Sequence, residues 1–271
     1  MPFKNTSKTF AKKSFGQNFL VDRNYISKII SALNPQSGEI IIEIGAGRGA
    51  LTEVLIESGA NVVAIELERN MISILRDRFA GKDNFKLVEA DALNIDFATA
   101  VQCFVSQTTN NKPVKIIANL PYNISTAILQ KLIEQRNCFS EMVLMFQREV
   151  VERITAKPGN SERGFLTVLT EAYLESEKLF DVPPRAFQPA PKVQSSVVRL
   201  KPSAGVEIKN EIVFRKIVSA GFRQKRKTIL NNLKSEFENA KQVLDQCGID
   251  HQRRAETLSL AEWKSLSDCS T

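Results

Sequence analysis

Asn119, Leu120, Pro121 and Tyr122 follow directly on the apolar run Ile116-Ile117-Ala118. That run has the composition of a buried parallel strand. Pro121 ends it, because proline has no N–H to give to a ladder and biases Leu120 away from helix. Open α/β sheets bind their ligands just beyond the carboxyl ends of strands. The Asn119 amide oxygen and the Leu120 carbonyl can each accept one N–H of an aromatic amine such as the N6 of adenine. Such an amine is a poor nucleophile, since its lone pair is delocalised into the ring. Accepting both hydrogens draws the nitrogen toward a tetrahedral shape and turns the lone pair outward. Tyr122 offers a face for stacking a base, worth roughly 1–3 kcal/mol. Read alone, the segment is equally a proline turn after a strand, with a buried tyrosine.

Three earlier strand ends carry a second set of groups. Glu39 to Ile44 reads as a strand that opens into Gly45-Ala46-Gly47-Arg48-Gly49 and then a helix over 50–58. A glycine-rich turn between strand and helix lets the backbone approach a nucleotide-like ligand. The spacing is G-x-G-x-G, not the G-x-G-x-x-G of dinucleotide binders, and it suits S-adenosylmethionine (SAM), which has no pyrophosphate. Gly45 and Gly47 are the candidate contacts. The strand Asn61 to Glu66 ends in a carboxylate about 20 residues past the first glycine, where it can accept both ribose hydroxyls. The alternative is that Glu66 caps the helix starting near Asn70. A third strand, Phe85 to Ala92, carries Asp91 near its end, placed to accept the exocyclic amine of the cofactor's adenine.

The elements that must position these groups follow from periodicity. Ile26, Ile29, Ile30 and Leu33 recur at helical spacing before Asn34-Pro35, and Ile72, Leu75 and Phe79 do so in a helix over 70–79. A helix and a polar connector fill 94–113. A helix over 125–136 precedes a strand over 141–147. A further helix leads through Glu149, Val150, Arg153 and Ile154 to the loop Pro158-Gly159-Asn160, and 166–174 reads as helix. The proline-rich run from Val182 to Val193 holds Phe187 before a last strand over 195–200. Phe187 is read as a second wall of the base site, opposite Tyr122; the alternative is a core phenylalanine under a loop.

Past 201–205 the pattern turns all-helical, which puts the domain boundary at 204 and gives domains 1–204 and 205–271. Between Lys209 and Lys234 stand eight basic residues and one acid, Glu211. Arg223, Lys225, Arg226 and Lys227, assigned to a helix with Ile229 and Leu233, read as a phosphate-contact surface. A charge run is also the ordinary solvated face of a helix.

Composition bounds the answer. The 271 residues are 43% hydrophobic and 25% charged, with a net charge of +7 that suggests a polyanionic partner. Lys4, Lys8, Lys12 and Lys13 precede the first acid, Asp22; so acid-poor a start can resemble a transit peptide, but it lacks arginine and is read as a basic arm for nucleic acid. Four cysteines without paired spacing read as free thiols in a reducing compartment, and one histidine leaves little for a metal. No run approaches the roughly 20 apolar residues of a membrane span.

Taken together, these segments resemble the KsgA/RsmA family of ribosomal RNA adenine dimethyltransferases nearly end to end. The likeness is carried by Gly16 to Leu20, the glycine turn, Asn119 to Ser125, Phe146 to Val150, Pro183 to Leu200, Phe222 to Thr228 and Arg254 to Ser259. It implies an α/β, Rossmann-like class I SAM-dependent methyltransferase fold with a mostly parallel seven-stranded sheet, plus a small helical C-terminal domain. It also implies that Asn18, Leu20, Gly45, Glu66, Asp91 and Asn119 contact SAM. The implied substrate is a pair of adjacent adenosines in the hairpin near the 3′ end of 16S rRNA, within the small (30S) ribosomal subunit. A cytoplasmic monomer without metal or membrane contact is expected. Residues 161–166 depart from the Tyr-Gly-Arg often found there in relatives, and Arg48 is a variation within the glycine turn. The rival readings are a 23S rRNA methyltransferase of the macrolide-resistance type and a ribosome assembly factor in which catalysis is secondary. The Asn-Pro-Pro-Tyr common in DNA adenine methyltransferases is absent, and the glycine spacing disfavours a NAD-linked oxidoreductase.

Overall fold

The computed structural model describes residues 17–105, 114–203 and 206–270. The basic arm, Gly16, the connector at 108–113 and the proposed boundary at 204 lie outside the described residues. By their internal contacts the residues fall into two compact units, Met1–Arg148 with Leu179–Arg199, and Glu149–Lys178 with Leu200–Thr271. Segment 149–178, which the sequence groups with the sheet, falls by these contacts in the second unit.

The first unit begins with β1 (Phe19–Leu20), α1 (Arg23–Leu33), β2 (Ile40–Ile44), α2 (Ala50–Glu57), β3 (Asn61–Glu66), α3 (Arg69–Arg78) and β4 (Phe85–Glu89). Then come α4 (Phe97–Ala100), α5 (Gln102–Val105), β5 (Val114–Asn119), α6 (Ser125–Glu134) and β6 (Phe139–Gln147). After α7 (Arg148–Ile154) and α8 (Phe165–Tyr173), the strands β7 (Leu174–Val182), β8 (Phe187–Gln188) and β9 (Ser195–Pro202) follow. The seven-stranded sheet has the order β4-β3-β2-β5-β6-β9-β7. Pairs β4–β3, β3–β2, β2–β5 and β5–β6 are parallel. All five residues of β2 are buried, as a central parallel strand covered on both faces requires. The chain leaves β2 toward β3 and β4 on one side and returns to β5 on the other, so the order reverses between β2 and β5. A crevice opens at such a reversal.

Local chemistry sets the helix ends. Asp22 caps α1 by accepting from the Asn24 N–H at 2.9 Å, and Asn34 closes it in the left-handed region at φ 48°. The predicted face of Ile26, Ile29, Ile30 and Leu33 is the buried one. β7 went unread in the sequence because both of its faces are wet: from Glu175 to Lys178 every residue is exposed. It is an edge strand, and its charges keep the open ladder from pairing with other chains. β1 pairs antiparallel with β8, Leu20 opposite Phe187, and two residues are too short to leave a period.

The second unit also holds α9 (Glu211–Gly221), α10 (Ile229–Leu233), α11 (Ala240–Gln246) and α12 (Leu260–Cys269). Trp263 is fully buried, its ring centroid 5.5 Å from that of Phe222. The basic run is not helical, contrary to the sequence assignment: Arg223–Lys227 form the turn between α9 and α10. The cause is Asn232, 3% exposed, whose side chain donates to Gly221 O at 2.6 Å and Gln224 O at 3.1 Å while accepting from Gln224 N. These bonds satisfy the carbonyls at the end of α9 and bend the chain away.

Candidate active site

The glycine turn, the Asn119 turn and the β1 residues line one cavity of about 630 Å³ at the β2–β5 crevice. That volume lies within the range of small-molecule sites. Gly45 has φ +72° and Gly47 φ +55°, conformations that favour residues without Cβ. A Cβ at Gly45 would meet only the Asn119 carbonyl oxygen, at 4.0 Å, so it would stand in the cavity itself. The wall is thus backbone at that point, as a ligand in close approach needs.

Glu66 is 8% exposed and anchored by three backbone donors. Its Oε2 accepts from Gly47 N at 2.9 Å, and its Oε1 from Leu67 N and Glu68 N at 2.9 and 3.0 Å. The carboxylate therefore shapes the glycine turn as well as facing the cavity. It does not cap α3; Glu68 does, accepting from Met71 N at 3.1 Å.

Asn119 is half-buried at the end of β5, and its amide N–H donates to Asn18 O at 3.1 Å. That contact takes the NH₂ end and leaves Oδ1 turned away from Asn18, which fixes the facing of the amide. Leu120 is held by its N–H on Met145 O at 3.3 Å. The Tyr122 hydroxyl shares a 2.7 Å hydrogen bond with Ser195 Oγ, and burial pushes its pKa up, so it stays a neutral phenol.

Of the residues singled out from sequence, Asn18, Leu20, Gly45, Gly47, Glu66, Asn119, Leu120 and Tyr122 come together around this cavity. Two do not. β4 stops at Glu89, and Asp91 lies in the following turn beside a separate hollow with Asn94 and Asp96; its Oδ1 accepts from Leu93 N at 2.9 Å. Phe187 is 4% exposed within the apolar core, where pairing with Leu20 directs it. The core reading of Phe187 is the one the structure supports. Sequence reasoning missed Glu43, a cavity residue 2% exposed in the middle of β2. Its signal was an acid inside an isoleucine run, which burial tolerates only with a partner. Among the described residues no group of three or more His, Cys, Asp or Glu could hold a metal, and no helix is long and apolar enough to cross a membrane.

A parallel sheet reversing at β2 and β5, with a G-x-G-x-G turn and an acid closing β3, defines a class I SAM-dependent methyltransferase. The residues fit that donor: a glycine wall, an anchored carboxylate and an amide converge on one cavity. Residues 9–271 match the model of one family, "Ribosomal RNA adenine dimethylase", and the chain belongs to that family. The chain is 42% identical over 261 residues to "Ribosomal RNA small subunit methyltransferase A" of Hahella chejuensis, covering 95% of this chain and 92% of that one. It is 41% identical over 264 residues to the protein of the same name from Geobacter sulfurreducens, covering 95% and 94%. A solved dimethyladenosine transferase from Plasmodium falciparum superposes with a TM-score of 0.74 at 28% identity, over 92% of this chain and 95% of that one. The 23S rRNA methyltransferase ErmE shares the fold, with a TM-score of 0.67 at 24% identity over 93% and 99%.

Proposed function

We propose that the protein dimethylates N6 of two adjacent adenosines in the hairpin near the 3′ end of 16S rRNA, acting as a cytoplasmic monomer on the 30S subunit or its precursor. The observation that carries this reading is the Asn119 amide, fixed by Asn18 at the same cavity as the glycine turn. SAM supplies a methyl group already activated by its sulfonium. The chain's task is therefore positioning, which can contribute ~7–11 kcal/mol.

Asn119 Oδ1 and the Leu120 carbonyl accept the two N–H groups of the target amine and aim its lone pair along the transfer line. An adenosine must leave its stack to reach them, at a cost of a few kcal/mol that an unpaired loop reduces. Stacking on Tyr122 offsets much of that cost. Because Phe187 is in the core, we assign it to holding Leu20 and β1 in place; Asp91, in the turn just past β4, stays assigned to the exocyclic amine of the cofactor's adenine. Each transfer passes one N6 proton to water, so after one methylation N6 keeps one N–H for Asn119 or Leu120; after two it keeps none, and the finished base loses its hold. Arg223, Lys225, Arg226 and Lys227 are exposed on their turn and suited to RNA phosphates, Arg223 being also paired with Glu236.

The test is incubation with labelled SAM and 30S particles from an undermethylated strain, followed by mapping of the modified bases. Label confined to two neighbouring adenosines near the 16S 3′ end supports the proposal. Label elsewhere in 16S rRNA, or spread over many adenosines, overturns it, as does preferential labelling of 23S rRNA when 50S particles are offered in parallel.

A further inference from the structure

Glu43 has no part in the mechanism above, yet it occupies the wall of the donor cavity. It lies between Ile42 and Ile44 at 2% exposure, with the Thr52 hydroxyl donating to its Oε2 at 2.5 Å. The Thr52 backbone N–H also donates to this carboxyl, and one residue's two neutral donors are poor compensation for a buried carboxylate. The cavity's charged lining comprises Glu43, Glu53, Glu57 and Glu66 against Arg23, Arg48 and Arg78. Glu66 closes β3; Glu53 and Glu57 are on α2; Arg48 is on the glycine turn, Arg23 opens α1 and Arg78 ends α3. Arg78 pairs with Glu53 at 2.7 Å. With Glu43 ionised the lining carries one surplus negative charge; with Glu43 protonated it is balanced. SAM carries a sulfonium, an ammonium and a carboxylate, a net charge of +1 in its bound form. A protonated Glu43 leaves that charge unmatched, and an ionised Glu43 matches it.

We propose that Glu43 is the switchable counter-charge of the donor: neutral in the free protein, it releases its proton to solvent when SAM binds and takes one back when the neutral product leaves. Burial, with a contribution from the Glu66 charge, pushes the Glu43 carboxyl up to about 8, against the pull of Thr52. It is therefore mostly protonated at neutral pH, and a nearby positive charge lowers a carboxyl by 1–3 units. S-adenosylhomocysteine keeps the ammonium and carboxylate but lacks the sulfonium, so it draws out less of the proton. Discrimination of donor over product thus sharpens as pH rises toward 8. The inference rests on the donor reading of the cavity.

Titration calorimetry of the full chain at pH 7, in phosphate and in Tris, tests it with SAM and with S-adenosylhomocysteine. The expected result is release of about half to one proton per SAM bound, and clearly less for the product. Glu43→Gln, which keeps the shape and a partner for Thr52, should still bind SAM but release no proton. SAM binding with equal heats in both buffers overturns the proposal while leaving the donor reading intact. Undiminished proton release in Glu43→Gln overturns it too, by placing the proton elsewhere. Failure of SAM to bind would remove the donor reading and this inference together.

Discussion

The glycine turn at 45–49 and the basic turn at 223–227 both hang from a glycine with no room for a side chain, yet they present opposite surfaces. A Cβ at Gly49 would stand 2.6 Å from the Phe79 ring, and one at Gly221 would run into the Trp263 ring. At the glycine turn the charge is internal: Glu66 is nearly buried and bonded to three backbone N–H groups. At the basic turn the side chains from Arg223 to Lys227 are exposed, and only the backbone beneath them is fixed, by Asn232. On the proposed reading the first surface would recognise its ligand by shape and fixed dipoles, and the second by net charge, which salt screens.

Substitutions can break that contrast. Gly49→Ala adds a clash to a left-handed backbone at φ +79°, and should cost about 2–5 kcal/mol in urea unfolding along with SAM binding. The Glu43 carboxyl is next. Burial lifts it from the ordinary 4.5 of a glutamate to about 8, so its contribution is complete below pH 4.5 and lost as pH rises through 8. Wild type should lose a few kcal/mol of stability from this group between pH 5 and 8. Melting curves of Glu43→Gln should lack that component. Gly221→Ala, at a position without positive φ, should cost about 1–3 kcal/mol by overpacking against Trp263, with SAM affinity unchanged. Replacing Lys225, Arg226 and Lys227 together by Ala should leave stability and SAM binding alone. It should lower the slope of log affinity for RNA against log salt by about 2–3. A triple variant that lost SAM binding would mean the two surfaces are not separable.

Much of the site was legible because strand ends were legible. Gly45, Glu66 and Asn119 each terminate an apolar run, and ligands of parallel sheets sit at those ends. β4 ends at Glu89, three residues earlier than its composition suggests, so Asp91 falls in the turn beyond the strand and not on it. Phe187 was misplaced because a proline-rich loop reads the same whether its aromatic faces ligand or core; pairing with Leu20, 167 positions away, decides it. The basic run was read as helix from the spacing of Ile229 and Leu233. Sequence could not show that Asn232 would take over the carbonyls of Gly221 and Gln224. Glu43 and β7 were missed for opposite reasons, an acid hidden in apolar surroundings and a strand with almost no apolar face.

The central claim is that Asn119, at the edge of the donor cavity, acts chiefly on the acceptor amine and contributes less to holding the donor. The direct measurement is single-turnover methylation of undermethylated 30S particles by Asn119→Ala, with SAM affinity determined on the same preparation. Methylation should fall on the order of 10²–10³-fold, as for loss of a transition-state hydrogen bond, while SAM affinity changes far less. Near-wild-type turnover, or a loss accounted for entirely by weaker SAM binding, would contradict the account.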